Sequence, residues 1–194
     1  MDASGRSDTQ QWVLDAVERY ELPLLRFAAR LMRDEHAARD VVQHVFLSLC
    51  GQSLGSLQDR LNQWLFAVCR NKALDMLRQR ENTTMLREAE FPEAAAREGD
   101  PAATAERADL YRSLYRLVEQ LPLPQREAVA LWSEGFSYRE IAEIGGTNEG
   151  NVRVVVHRAL KHLREHPAAR QLLGDDRGSR AAAIRPVCEN RFSK

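Results

Sequence analysis

Residues 121–165 read LPLPQREAVALWSEGFSYREIAEIGGTNEGNVRVVVHRALKHLRE. Pro122 stops the preceding helix and Pro124 can open the next, because proline lacks only an amide that a first turn leaves unbonded anyway. That helix is expected to turn Ala128, Leu131 and Trp132 inward and to end at Gly135, which suits a left-handed cap. Ser137-Tyr138-Arg139-Glu140 then fits a capping box, in which Ser and Glu reciprocally satisfy backbone donors. A short helix over 138–144, a tight turn at Gly145-Gly146-Thr147 and a longer helix over about 148–165 follow.

This order is a helix-turn-helix, whose second helix can enter a major groove. Val152, Val156, Ala159 and Leu163 form its inward stripe, while Arg153, His157, Lys161 and Arg164 repeat the same spacing on another face with no acid between 153 and 164. Only residues near the helix start would reach base edges, so Asn148, Glu149, Asn151 and Arg153 are candidates for readout. His157, Arg158 and Lys161 lie nearer phosphates. An ordinary helical hairpin with a solvated basic face competes with this reading.

Upstream, Leu110, Leu114, Leu117, Val118 and Leu121 make an amphipathic helix that leads into Pro122. The N-terminal block is helical too. Leu24, Phe27, Ala28, Leu31 and Met32 recur at helical spacing, and Asp34 is a suitable N-cap for the next segment. There Val41, Val42, Val45, Phe46 and Leu49 share one stripe, leaving Asp40, Gln43, His44 and Leu47 on another face. After a loop over 51–56, a third helix from about Asp59 should turn Leu61, Trp64, Leu65 and Val68 inward. Its far end, RNKALDMLRQR (70–80), sets Arg70, Lys72, Arg78 and Arg80 against Asp75 alone. A basic surface of this kind beside Asn71 and a polar loop suits single-stranded DNA, although a basic helix end also simply complements the helix dipole.

The 194 residues carry 28 basic and 28 acidic side chains, so the chain is not a uniformly basic polyanion binder. The charge is segregated instead: residues 83–110 hold seven acids against three bases. That stretch lacks a sustained apolar stripe and contains Gly99-Asp100-Pro101, the composition of a linker. The expected fold class is all-α: two small helical domains (1–82 and 107–167) joined by a flexible acidic linker (83–106), with a basic tail over 168–194. No apolar run is long enough to span a membrane and the opening MDASGRSDTQQ is unlike a signal peptide, so a cytoplasmic protein is expected.

Cys50, Cys69 and Cys188 show no paired spacing, which argues against a disulfide framework or a cysteine zinc site; Cys50 and Cys69 are expected to be buried. There is no P-loop, no HExxH and no glycine-rich phosphate cradle, and His162 and His166 lack a third ligand. No enzyme activity, metal or cofactor is expected.

Two blocks together are similar to a known family. The run LLRFAARLMRDEHAARDVVQHVFLSLC, then LNQWLFAVCRNKALDMLRQR, then the helix-turn-helix segment resembles the extracytoplasmic-function sigma factors of bacterial RNA polymerase. The resemblance implies that Asp40-Val41-Val42-Gln43, with His44 and Leu47 beside it, docks on core RNA polymerase. It implies that Ser53 and Leu54 of the loop, with Arg70, Asn71, Lys72, Asp75 and Arg78, hold the −10 promoter element as its strands part. The helix-turn-helix would then grip the −35 element as duplex. Melting on this scheme needs no catalytic group, because DNA contacts offset the roughly few kcal/mol that unstacking a base costs.

Some positions depart from the family pattern. Arg39 and His44 stand where acidic residues are usual, and Asn151 and Val155 replace a common Thr and Arg. Members of the family are commonly held inactive by an anti-sigma factor, which the resemblance adds as a partner. A stand-alone helix-turn-helix regulator of operator DNA would explain 107–166 and leave the face of Asp40 and Gln43 without a purpose.

Overall fold

The computed structural model describes residues 3–52, 57, 60–84 and 116–166. Ser53, Leu54, Cys188, most of the expected acidic linker and the basic tail lie outside them. The described residues form helices and turns without a strand: α1 (Ala3–Met32), α2 (Glu35–Cys50), α3 (Leu61–Thr84), α4 (Leu123–Ser133), α5 (Tyr138–Gly145) and α6 (Glu149–Glu165), with a further helical stretch at 116–120. The chain divides into two compact units, Met1–Glu93 and Ala94–Lys194.

In the first unit α1, α2 and α3 each pack against the other two. Leu24, Phe27 and Leu31 of α1, Val41, Val45 and Leu49 of α2, and Leu65, Phe66 and Cys69 of α3 are all fully buried. Burial of each such Leu or Phe contributes about 1.5–3 kcal/mol. The Phe27 and Phe66 rings lie 5.4 Å apart at 53°, one of the tilted arrangements that the ring quadrupoles favour. The inner line of α3 is therefore Leu65, Phe66, Cys69 and Ala73, whereas Leu61, Trp64 and Val68, expected inward, are only half-buried.

The turn between α1 and α2 contains no glycine. Arg33 itself takes the left-handed conformation (φ 55°), and its amide donates to the Ala29 carbonyl at 2.9 Å to close α1. Asp34 then caps α2, accepting the Ala37 amide at 3.1 Å. Helix α2 ends at Cys50, whose thiol is exposed; the expectation of burial holds for Cys69 alone. Position 50 lies about 60° around the helix from exposed Leu47 and about 100° from buried Leu49.

In the second unit α4, α5 and α6 pack against one another. Leu121, Val129 and Ala159 form a buried cluster joined by Val118 and Leu163. Trp132, expected inward, is half-buried, and Val129 and Ala130 are buried instead. Arg126 is buried too, donating from Nη1 to the Glu119 carbonyl at 3.1 Å. The bond ties α4 to the end of the preceding helical stretch.

Candidate polymerase and nucleic-acid interfaces

The first surface is the outer face of α2. Because Val41, Val42, Val45 and Leu49 are drawn into the core, Asp40, Gln43, His44 and Leu47 project to solvent together. Leu47 is 65% exposed, an apolar side chain standing among polar ones. Arg39 does not add a loose cation here, since its Nη2 lies 2.6 Å from Glu35 Oε1 on the preceding turn.

The second surface is on α3. Asn71, Asp75 and Arg78 are exposed at i, i+4 and i+7, while Arg70 and Lys72 beside them are half-buried. Arg70 donates to Asn71 Oδ1 at 3.3 Å, and Arg78 reaches Asp75 at 3.4 Å. Arg80 belongs elsewhere: its Nη2 bonds Asp34 Oδ2 at 2.8 Å, so one of the cations of this basic end is committed to the fold. Bonding to the Ala37 amide, and less strongly to Arg80, holds the Asp34 carboxyl below the usual carboxylate range.

The third surface is the helix-turn-helix. Ser137 accepts the Glu140 amide at 3.3 Å while the Glu140 carboxylate accepts the Ser137 amide at 2.8 Å, completing the capping box that starts α5. Gly146 ends α5 with φ 63°, where a side chain would be strained. Asn148 is the N-cap of α6 and lies outside the helix proper: its Oδ1 accepts the Asn151 amide at 2.8 Å. That oxygen is spent on the helix, which leaves the Asn148 amide NH2 for other partners. Asn151 Nδ2 donates to Thr147 Oγ1 at 3.1 Å.

Arg153 is held twice. Its Nη2 lies 2.8 Å from Glu149 Oε1, and its guanidinium stands 5.4 Å over the Tyr138 ring of α5. His157, Arg158 and Lys161 continue the exposed face, Lys161 with a looser 3.8 Å contact to Glu165. Three neighbours escaped the sequence reading: Tyr138, Thr147 and Val154. Thr147 and Asn151 are separated by one helical turn, and that spacing was the available signal; nothing in the periodicity ties Tyr138 to Arg153. Val154 is 45% exposed, out of phase with the inward stripe.

The structure thus gathers Asn148, Glu149, Asn151 and Arg153 at one end of α6, and Asp40, Gln43, His44 and Leu47 on one face of α2. Ser53 and Leu54 lie outside the described residues. No group of three His, Cys, Asp or Glu side chains suited to a metal occurs among the described residues, and none of their helices is long and apolar enough to cross a membrane.

A helical unit with such a polar face and a second unit built on a helix-turn-helix describe a transcription factor with two working parts, and comparison with known proteins specifies the kind. Residues 16–83 match the sigma-70 region 2 family and residues 111–163 the sigma-70 region 4 family. The chain is 31% identical over 167 residues to the RNA polymerase sigma factor CarQ of Myxococcus xanthus, covering 82% of this chain and 91% of that protein. It is 28% identical to the ECF RNA polymerase sigma factor SigE of Mycolicibacterium smegmatis, covering 86% of this chain and 66% of that one. Among solved structures, the sigma factor RpoE of Bartonella quintana, crystallised with the anti-sigma factor NepR, superposes with a TM-score of 0.62 at 27% identity, covering 84% of this chain and 99% of that one. The chain belongs to the extracytoplasmic-function sigma factors.

Proposed function

We propose that the chain binds bacterial core RNA polymerase in the cytoplasm and directs it to promoters, with the two units dividing the work. The region 2 domain, residues 1–82, docks on core through Asp40, Gln43, His44 and Leu47 and holds the parting −10 element with Arg70, Asn71, Lys72, Asp75 and Arg78, together with Ser53 and Leu54 of the preceding loop. The region 4 unit grips the −35 element through Asn148, Glu149, Asn151, Arg153, His157, Arg158 and Lys161. Residues 83–106 are the acidic linker, and the chain contributes no catalytic group of its own: polymerase performs the chemistry. By likeness to the Bartonella quintana complex, an anti-sigma factor is the regulator.

The observation that carries this reading is the presence, in one chain, of an exposed Asp40 and Gln43 on a region 2 helix and a capped helix-turn-helix of region 4 type. A stand-alone operator-binding regulator accounts for the second alone. Purified chain added to core polymerase should produce transcripts from a defined start on promoter DNA. Absence of both core binding and a defined start refutes the proposal.

A further inference from the structure

Val154 is the sixth residue of α6 and the only large hydrophobic side chain exposed among the described residues of the second unit. It stays exposed while Val152, Val156 and Ala159 of the same helix are buried in the core. A β-branched residue at a solvent-facing helix position is disfavoured against alanine or a straight polar chain, so helix formation does not account for it. Arg153, His157 and Arg158 line a shallow open concavity with it. An apolar side chain flanked by two arginines and a histidine is poorly suited to an apolar protein partner and well suited to a polyanion that carries a small apolar group.

Duplex DNA presents one such group in the major groove, the C5 methyl of thymine. Residues in the first turns of a recognition helix are those that reach base edges, while cations further along hold phosphates. We infer that Val154 is a specificity-determining residue that receives a thymine methyl of the −35 element, with Arg153, His157 and Arg158 fixing the duplex around it. This rests on the −35 role proposed above. Val154 acts by contact alone, so it selects thymine against bases that leave the concavity unfilled, and it contributes nothing to binding of phosphates.

The test uses the full chain assembled with core polymerase. Promoters are selected from a library with a randomised −35 region, and deoxyuridine, which lacks only the C5 methyl, then replaces each thymine of the selected element in turn. One replacement should weaken holoenzyme binding about fourfold, the worth of one buried methyl. Val154→Ser should bind the thymine and deoxyuridine promoters equally, and Val154→Ile should keep the difference; the position is exposed, so neither variant disturbs the core. If no thymine is sensitive to demethylation, or the sensitivity survives in Val154→Ser, the assignment is overturned while the sigma role stands. If selection with the holoenzyme enriches no −35 sequence, the −35 role itself fails and takes the assignment with it.

Discussion

Arg80 Nη2 lies 2.8 Å from the Asp34 carboxylate, joining the far end of α3 to the corner between α1 and α2 across 46 positions of sequence. The same carboxylate caps α2 through the Ala37 amide. One side chain therefore both starts the helix that presents Asp40 and Gln43 and ties the third helix to it.

Asp34→Asn should keep part of the cap and lose the ion pair, and Asp34→Ala should lose both, costing about 1 kcal/mol or somewhat more. The carboxyl is held below its ordinary value, first by the Ala37 amide. A depressed folded value means that its stabilisation is complete above the ordinary carboxylate range and fades as pH falls through the folded value. Thermal melts of wild type and Asp34→Asn should thus differ at pH 7 and converge at acid pH. A gap that widened on acidification would contradict the assignment.

The turn of the helix-turn-helix offers a paired comparison. Gly146 sits at φ 63° with open space around its α-carbon, so Gly146→Ala should cost about 1–2 kcal/mol from backbone conformation alone. Gly145→Ala would place its methyl 3.7 Å from Glu127 Oε1 and Thr147 Cγ2, ordinary contacts, and should change stability little. Denaturant unfolding of the two variants reads this difference directly.

Thiol labelling separates the cysteines. Burial pushes the Cys69 thiol far above its usual range, whereas Cys50 is exposed. In a Cys188→Ser background the native protein should react rapidly at one thiol and the unfolded protein at two. Rapid labelling of both in the native state would show that α3 does not pack as described.

Asp40→Ala combined with Gln43→Ala should weaken core binding at least several-fold with unchanged helicity and melting, because both side chains are exposed. Competition against a labelled wild-type factor measures the first, and circular dichroism the second. Loss of helicity would instead mean that this face is structural.

Within α6, Arg153→Ala should alter which −35 sequences are preferred, because a side chain near the helix start reads base edges. Lys161→Ala should weaken binding evenly across sequences and lower the salt slope by about one. Binding to a promoter panel at several salt concentrations distinguishes these outcomes; identical profiles for the two variants would remove the proposed division of roles.

Much of this was legible in the chain because local chemistry marked it. Asp34 and Ser137 each precede a helix they cap, and the stripes of Val41 with Val45 and of Val152 with Val156 fall inward as their spacing dictates. The residues that escaped are those defined by neighbours distant in sequence or by a locally atypical residue. No glycine announces the end of α1, since Arg33 takes the left-handed position itself. Arg126 is buried because a carbonyl from the preceding helical stretch receives it, and Cys50 is exposed although apolar residues surround it in sequence. Arg80 belongs by composition to a basic helix end, yet tertiary contact assigns it to Asp34.

The bond between Arg153 and Glu149 gives the recognition helix an internal competitor. Its guanidinium already has a carboxylate at 2.8 Å and an aromatic ring beneath it, so a base gains only the difference between itself and that arrangement. An exposed ion pair of this kind is worth about 0–1 kcal/mol, small against a good bidentate contact to guanine at about 1–3 kcal/mol. A matching base can outbid the carboxylate, and a mismatched one leaves the arginine where it was. On the −35 role proposed for Arg153, selectivity at this position comes from a threshold set within the protein, one that arbitrary duplex does not meet.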